Sequence, residues 1–573
     1  MVERSAVPTG GHIAPERAAE ERVRLRAAAE AAALQLEAIA ERVGADGHAD
    51  EAAIFSAQAA IARDPVLATL AEERIAASDD AIAAIQASAG SFADQLRSLG
   101  DELLAARAAD VLDVGHRIAR HLAGMGDRPE AGLDRPAIVV ADDLPPSVTA
   151  TLPRDRLLGI ALEGSSATAH AAILARAYGI PAVVGARGLL AALTGGGDRN
   201  GADGRDAVVE LAIDGGTGEI VLDPDEITRT RFDAAAEAAR RLRQTDIVDA
   251  GLPAVTTDGI VVRLLGNIGT PDESGPAVAL GAQGVGLFRT EFLFLERNGP
   301  PTEAEQLAAY RTVVEAFAPH PVTIRLLDVG GDKPIPYLPI DEEANPFLGV
   351  RALRLARTDP DLFVVQLRAC YRAAVAGPVK VMAPMVADAG DVELLLDLAE
   401  RARRELAEED LEAGDVALGV MLEIPSAILV GDSYFGRIAF ASLGTNDLLQ
   451  YTLAVDRGNA ALERYRDPFH PALLRLVRDA VLASERAGIE LSVCGEMAGE
   501  PAAALALAGL GIRSLSMAAS SLPAVRRAIR GAALASLEEA ARAALDDPSA
   551  TAARARFATL VAPAATAAPT TSA

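Results

Sequence analysis

The sequence predicts a multidomain α/β chain: a helical bundle, a small α/β domain, and then a C-terminal (β/α)8 barrel. Three observations carry this. Residues 16–122 hold long amphipathic stretches with no strand signal between them. Residues 130–222 break into short apolar runs bounded by Gly, Pro and Asp. Residues 250–540 alternate apolar runs with helical stretches at intervals of about 30–40 residues, and most of those runs end in polar or reactive side chains.

Taken in order, residues 1–15 contain Gly and Pro and are expected to be loose. Glu20–Arg42, Asp50–Arg63 and Leu96–Leu122 place apolar positions at helical spacing, with Glu and Arg between them, so residues 16–122 form a helical subdomain. The α/β domain occupies 123–225. Its expected strands are Ala137–Ala141, Leu157–Ala161, Ala182–Gly185, Ala207–Leu211 and Glu219–Leu222. Residues 226–249 are a polar helical linker. The barrel takes 250–545, and 546–573 is a tail ending in a low-complexity, disordered segment.

Six barrel strands announce themselves. Gly284–Phe288 ends in Arg289, and Val322–Ile324 leads to Arg325 and Asp328. Val379–Pro384 follows. Leu418–Leu422 ends in Glu423, Ile438–Leu443 in Gly444-Thr-Asn-Asp447, and Leu491–Val493 in Cys494. A (β/α)8 barrel gathers its chemistry at such strand ends.

Composition narrows the partners. The 573 residues are 50% hydrophobic and 24% charged, with a net charge of −27. That field repels nucleic acid and anionic lipid, so an anionic substrate needs a local cluster of Arg and Lys. No stretch of about 18 apolar residues suggests a membrane span, and Met1–Ser5 does not begin a signal peptide. Two cysteines, Cys370 and Cys494, make no disulfide framework and fit a reducing cytoplasm.

His170 stands out among the seven histidines. It lies in Thr168-Ala-His170-Ala-Ala-Ile-Leu, at the expected start of a short helix, where backbone N–H groups and the macrodipole favour an anion. It is therefore placed to carry a phosphoryl group. Arg289, Arg325, Lys333 and Arg457, at or just past strand ends, suit a ligand with both phosphate and carboxylate. Glu423 and Asp447 suit Mg²⁺, which takes one or two carboxylates together with substrate oxygens. Cys494, at a strand end, can give or take a proton.

Over about residues 20–545 the chain resembles Enzyme I of the bacterial sugar phosphotransferase system. The motifs are Gly284-Val-Gly-Leu-Phe-Arg-Thr-Glu-Phe-Leu-Phe, Asp328-Val-Gly-Gly-Asp-Lys333, Asn345-Pro-Phe-Leu-Gly-Val-Arg351, Leu443-Gly-Thr-Asn-Asp-Leu448 and Gln450-Tyr-Thr-Leu-Ala-Val-Asp-Arg-Gly-Asn459. The helical block Arg107-Ala-Ala-Asp-Val-Leu-Asp-Val-Gly115 is also similar.

The resemblance implies that the helical subdomain binds the carrier protein HPr and that the α/β domain is a swivelling phosphohistidine domain. The barrel would bind phosphoenolpyruvate (PEP) and form a homodimer. It implies that His170 becomes phosphohistidine and that Arg289, Arg325, Asn446, Asp447 and Arg457 bind substrate, with Lys333 and Arg351 in support. Glu423 and Asp447 would bind Mg²⁺, and Cys494 would protonate the departing enolate to give pyruvate. The chain departs from the family in three places. Ser165-Ser166 and Ala169 replace Gly-Gly and Ser around the active histidine. Met1–Pro15 lacks the family's opening Ser-Pro-Gly-Ile-Ala-type strand. Gln58 replaces a frequent His on the helix expected to face HPr, which bears on whether a general or a dedicated carrier is served. The related pyruvate phosphate dikinase and PEP synthase need an ATP-binding domain that is not expected here. A regulator that only binds PEP would not need the full set of His170, Arg289, Glu423, Asp447 and Cys494.

Overall fold

Apolar residues spaced three and four apart build the start of the chain. The computed structural model describes residues 10–45, 49–98, 102–124, 133, 135–142, 144, 152–153, 156–164, 175, 180–194, 209–295, 297, 299–330, 335, 337–338, 340, 343–456 and 460–561. The chain divides into two units, Met1–Glu237 and Ala238–Ala573.

In the first unit α1 (Ala18–Ala45), α2 (Ala49–Ala62), α3 (Pro65–Ala76), α4 (Ala81–Ser98) and α5 (Glu102–Leu122) form the helical part. Leu25, Ala28, Ala32, Leu36 and Ile39 lie along one stripe of α1, and all are buried. Val111, Val114, Ile118 and Leu122 do the same for α5. Each buried Leu or Ile contributes about 1.5–3 kcal/mol relative to exposure. Asp64 caps α3 by accepting the amide of Val66 at 2.6 Å, with Pro65 in the first turn.

Three expectations are corrected here. The stretch Leu96–Leu122 is divided between two helices, α4 ending at Ser98 and α5 starting at Glu102, and residues 99–101 lie outside the described residues. Residues 10–15 are not loose. The Gly11 amide donates to Asp80 Oδ2 at 2.7 Å, the Asp80 amide to the Gly11 carbonyl at 2.8 Å, and the Ile13 amide to the Ser78 carbonyl at 2.8 Å. Gln58 does not lie at the surface of its helix. It is fully buried between α2 and α5, and its amide donates to Asp110 Oδ1 at 2.9 Å.

The rest of the first unit is a parallel sheet of β1 (Ala137–Ala141), β2 (Leu157–Leu162) and β3 (Ala182–Val183), with an antiparallel hairpin of β4 (Leu211–Asp214) and β5 (Glu219–Leu222). Apolar side chains alternate between the two faces of the sheet. Ile160 and Leu162 enter one cluster, Val140 and Ala161 the other. The strand expected at Ala207–Leu211 begins only at Leu211; residues 207–208 lie outside the described residues. So do His170, Ser165-Ser166 and Ala169. The polar helix Glu226–Val248 joins the units.

In the second unit β6 (Arg263–Ile268), β7 (Val285–Arg289), β8 (Val322–Arg325), β9 (Val379–Ala383), β10 (Val416–Leu422), β11 (Phe440–Leu443), β12 (Glu490–Val493) and β13 (Ser514–Ala518) close into one all-parallel barrel. Its helices start on clear signals, such as the Thr302/Glu305 capping box and the Asp388 cap. Two strands were not singled out from the sequence. In β6 the apolar run is broken by Arg263, Gly266 and Asn267, and in β13 by the buried Ser514 and Ser516. The barrel layer also continues past 545, where a tail was expected. A helix at Ala550–Ala558 buries Ala553 and Phe557, and Phe557 packs on Phe469 with ring centroids 5.8 Å apart. Residues 562–573 lie outside the described residues.

Candidate active site at the barrel rim

Parallel strands in register bring their C-terminal residues to one level. Arg289 pairs opposite Arg325, Leu422 opposite Leu443, and Leu443 opposite Val493. The residues that follow, Glu423, Gly444 and Cys494, therefore emerge together. They line a cavity of about 180 Å³ with Arg289, Arg325, Asn446 and Asp447. Six residues expected at the site thus meet in one place, and Arg351, expected in support, joins them. Arg457 and Lys333, like His170, lie outside the described residues.

The cavity also holds Glu291, Phe292, Asp328 and Glu496. Glu291, Phe292 and Glu496 were not anticipated, and Asp328 was noted only as a residue beyond a strand. The same strand-end rule, extended two or three residues further, would have found them. These acids change the picture of Arg325. Its guanidinium is bound to Glu291 Oε1 at 2.6 Å and to Asp328 Oδ2 at 3.0 Å. Asp328 Oδ1 also accepts from Arg351 Nη2 at 2.9 Å, and Arg351 Nη1 reaches Tyr451 Oη at 3.3 Å. Burial works against the charge of Arg325, but Glu291, Asp328 and Glu423 outweigh it, so its pKa is raised. Arg325 is fixed in direction before any ligand arrives. Arg289 is half-buried and, among the described residues, has no carboxylate partner.

Glu423 is fully buried and accepts the Met385 amide at 2.9 Å. Met385, the donor of that bond, adopts φ +57°, a left-handed conformation unusual for a non-glycine residue. Burial pushes the Glu423 pKa up, and repulsion from Asp447 and Asp328 adds to the shift against Arg325 and Arg351. Three guanidiniums face five carboxylates in the cavity. That donor set fits a divalent cation. Glu423 and Asp447 would be relieved by it, and an anionic ligand would need it.

Asn446 and Asp447 begin the helix Thr445–Leu453, whose first turn opens into the cavity. The Asn446 side chain accepts the Glu496 amide at 3.2 Å, which ties this turn to the Cys494 loop. A Cβ on Gly495 would lie 2.0 Å from Thr445 Oγ1, so only glycine permits that approach. Cys494 is 2% exposed, and its thiol lies 3.7 Å from the Leu443 carbonyl. Burial pushes the thiol up to about 11, so at neutral pH it keeps its proton. Cys370, also buried, lies outside the cavity.

Known proteins share this organisation. Residues 244–534 match the family described as PEP-utilising enzyme, PEP-binding domain; 133–218 match PEP-utilising enzyme, mobile domain; and 2–107 match PEP-utilising enzyme, N-terminal. The phosphoenolpyruvate-protein phosphotransferase of Streptomyces coelicolor is 42% identical over 94% of this chain and 91% of its own length. That of Geobacillus stearothermophilus is 38% identical over 92% of this chain and 91% of its own length. The multiphosphoryl transfer protein of Rhodobacter capsulatus is 39% identical over 89% of this chain, which spans 60% of that longer relative. The chain belongs to the PEP-utilising enzymes and, among them, to the phosphoenolpyruvate-protein phosphotransferase (Enzyme I) family.

Proposed function

We propose that this chain takes the phosphoryl group of PEP onto His170, releases pyruvate, and hands the group to the carrier protein HPr as the first step of sugar phosphotransfer. The observation that carries this reading is the convergence of Arg289, Arg325, Glu423, Asn446, Asp447 and Cys494 on one cavity, within the stretch that matches a PEP-binding domain.

PEP presents a phosphate and a carboxylate. Arg289, Arg325 and Arg457 hold these anions, with Lys333 and Arg351 supporting them. Asn446 and Asp447 meet the phosphate at a helix N-terminus. Mg²⁺ bound by Glu423 and Asp447 would supply positive charge beside the phosphate oxygens. A ring nitrogen of His170 forms a bond to phosphorus while the bond from phosphorus to the enol oxygen breaks. The enolate then takes the Cys494 thiol proton at its methylene carbon, which yields pyruvate, and solvent returns a proton to the thiolate. We assign HPr docking to the helical part of the first unit, homodimer contacts to the barrel, and the cytoplasm as the compartment in which both cysteines stay reduced.

The test uses PEP carrying radioactive phosphorus, with Mg²⁺, with and without EDTA, beside the His170→Ala variant. Acid-labile, Mg²⁺-dependent label on the wild type, absent from the variant, is the expected result. His170→Ala should still bind PEP by calorimetry, because the cavity lies on barrel residues. No label on wild-type protein that still binds PEP would overturn the transfer step.

A further inference from the structure

Behind the rim, a chain of polar side chains crosses an apolar layer. The Thr290 hydroxyl, one residue past Arg289, donates to the Arg325 carbonyl at 2.8 Å. Gln366, on the helix Pro360–Ala373, donates its amide to Thr290 Oγ1 at 3.0 Å and to Tyr310 Oη at 3.1 Å. Its carbonyl oxygen accepts the Leu327 amide at 2.9 Å. Tyr310 in turn donates to Gln306 Oε1 at 3.0 Å, and the Gln306 amide to the Pro301 carbonyl at 3.1 Å. Thr290, Gln306, Tyr310 and Gln366 are at most 1% exposed, among Phe288, Val313, Leu326 and Phe363.

Desolvating four polar side chains costs free energy, and apolar residues of the same volume would pack these helices as well. The network does something an apolar filling could not: it ties a side chain at the β7 end to the backbone at the β8 end. Thr290 holds the carbonyl of Arg325, and Gln366 holds the amide of Leu327, one residue before Asp328. Thr290 accepts from Gln366 and donates to Arg325, so the direction of its hydroxyl is determined.

We propose that Thr290 and Gln366 are positioning residues for PEP: they lock the β7 and β8 ends together and so set where the Arg289 and Arg325 guanidiniums point. This rests on the cavity being the PEP site. A guanidinium displaced by even part of an ångström loses a bidentate contact, so the effect should fall on substrate affinity.

The test compares Thr290→Val, Thr290→Ser, Gln366→Met and Val364→Ala in the full chain. The last is a core truncation on the same helix whose apolar side chain makes no hydrogen bond in the network. PEP binding in Mg²⁺ is measured by calorimetry, KM and kcat by pyruvate release, and Tm by scanning calorimetry. Thr290→Val and Gln366→Met should weaken PEP binding about tenfold and raise KM more than they lower kcat. Thr290→Ser should stay within about twofold of the wild type, and Val364→Ala should lower Tm without weakening binding. Wild-type affinity in Thr290→Val and Gln366→Met would overturn the inference, as would an equal affinity loss in Val364→Ala. Wild-type protein that binds no PEP would overturn the proposed function, and the inference with it.

Discussion

Replacing Asp328 by Asn tests the ion network at the rim most directly. Asp328 is 3% exposed and serves two buried guanidiniums at once, Arg325 at 3.0 Å and Arg351 at 2.9 Å. Asn keeps the shape and one acceptor oxygen, but it turns an NH2 group toward the other guanidinium. One charge-assisted hydrogen bond is lost, worth about 1.5–3 kcal/mol, and two buried cations lose a shared counter-charge. Removing one partner of a buried pair costs about 3–5 kcal/mol in general. Here Glu291 still holds Arg325, and Asp447 lies 3.9 Å from Arg351, so the lower end, about 3 kcal/mol, is expected. At the barrel's size that is a fall of about 4–5 °C in its Tm. Scanning calorimetry of the full chain reads it, with Leu515→Ala, a buried β13 truncation, marking the barrel transition. An Asp328→Asn barrel melting within about 1 °C of the wild type, or above it, would refute the view that Asp328 is the shared counter-ion.

Three further outcomes are expected. Cys494→Ala should slow pyruvate formation by about 10²–10⁴-fold while PEP still binds, because the lost group delivers a proton and does not anchor substrate; unchanged pyruvate release would remove Cys494 from the mechanism. Asp258 accepts the Thr256 hydroxyl and the Leu534 and Ala535 amides, which holds its carboxyl down at about 2. Its contribution is therefore present above the ordinary value of 3.8 and lost as pH falls toward about 2. Asp258→Asn should lower Tm at neutral pH and converge with the wild type near pH 2, and parallel Tm curves across that window would contradict the assignment. Phe557→Ala should destabilise the barrel by about 3–5 kcal/mol, read as a lower urea midpoint, because Phe557 is fully buried; a midpoint equal to the wild type would show that the last helix is not part of the core.

Local rules carried the reading of the rim a long way. A run such as Val416–Leu422 that ends in Glu423 shows a buried parallel strand by its apolar content and a rim residue by its first polar side chain. The same rule passed over β13, because its inward-facing Ser514 and Ser516 dilute the apolar signal. It also did not follow the loops after β7 and β12 far enough to single out Glu291 and Glu496, which those loops return to the cavity. Residues 10–15 and the helix at 550–558 were misjudged for a related reason. Their order comes from partners far along the chain, Asp80 for Gly11 and Asp467 for Arg554. Gln58 was judged by its place in a motif, and its burial against Asp110 depends on how α2 and α5 pack.

The sequence by itself determined the helical stripes, six of the eight strands and the residues at their C-terminal ends, because periodicity and strand termination are written within a few residues of one another. Tertiary structure alone decided that Arg325 is held by Glu291 and Asp328, that Asp328 is shared with Arg351, and that Gln366 reaches across from a covering helix to tie two strand ends together. Each of those contacts joins different segments around a buried charge or dipole, and their geometry exists only once the barrel has closed.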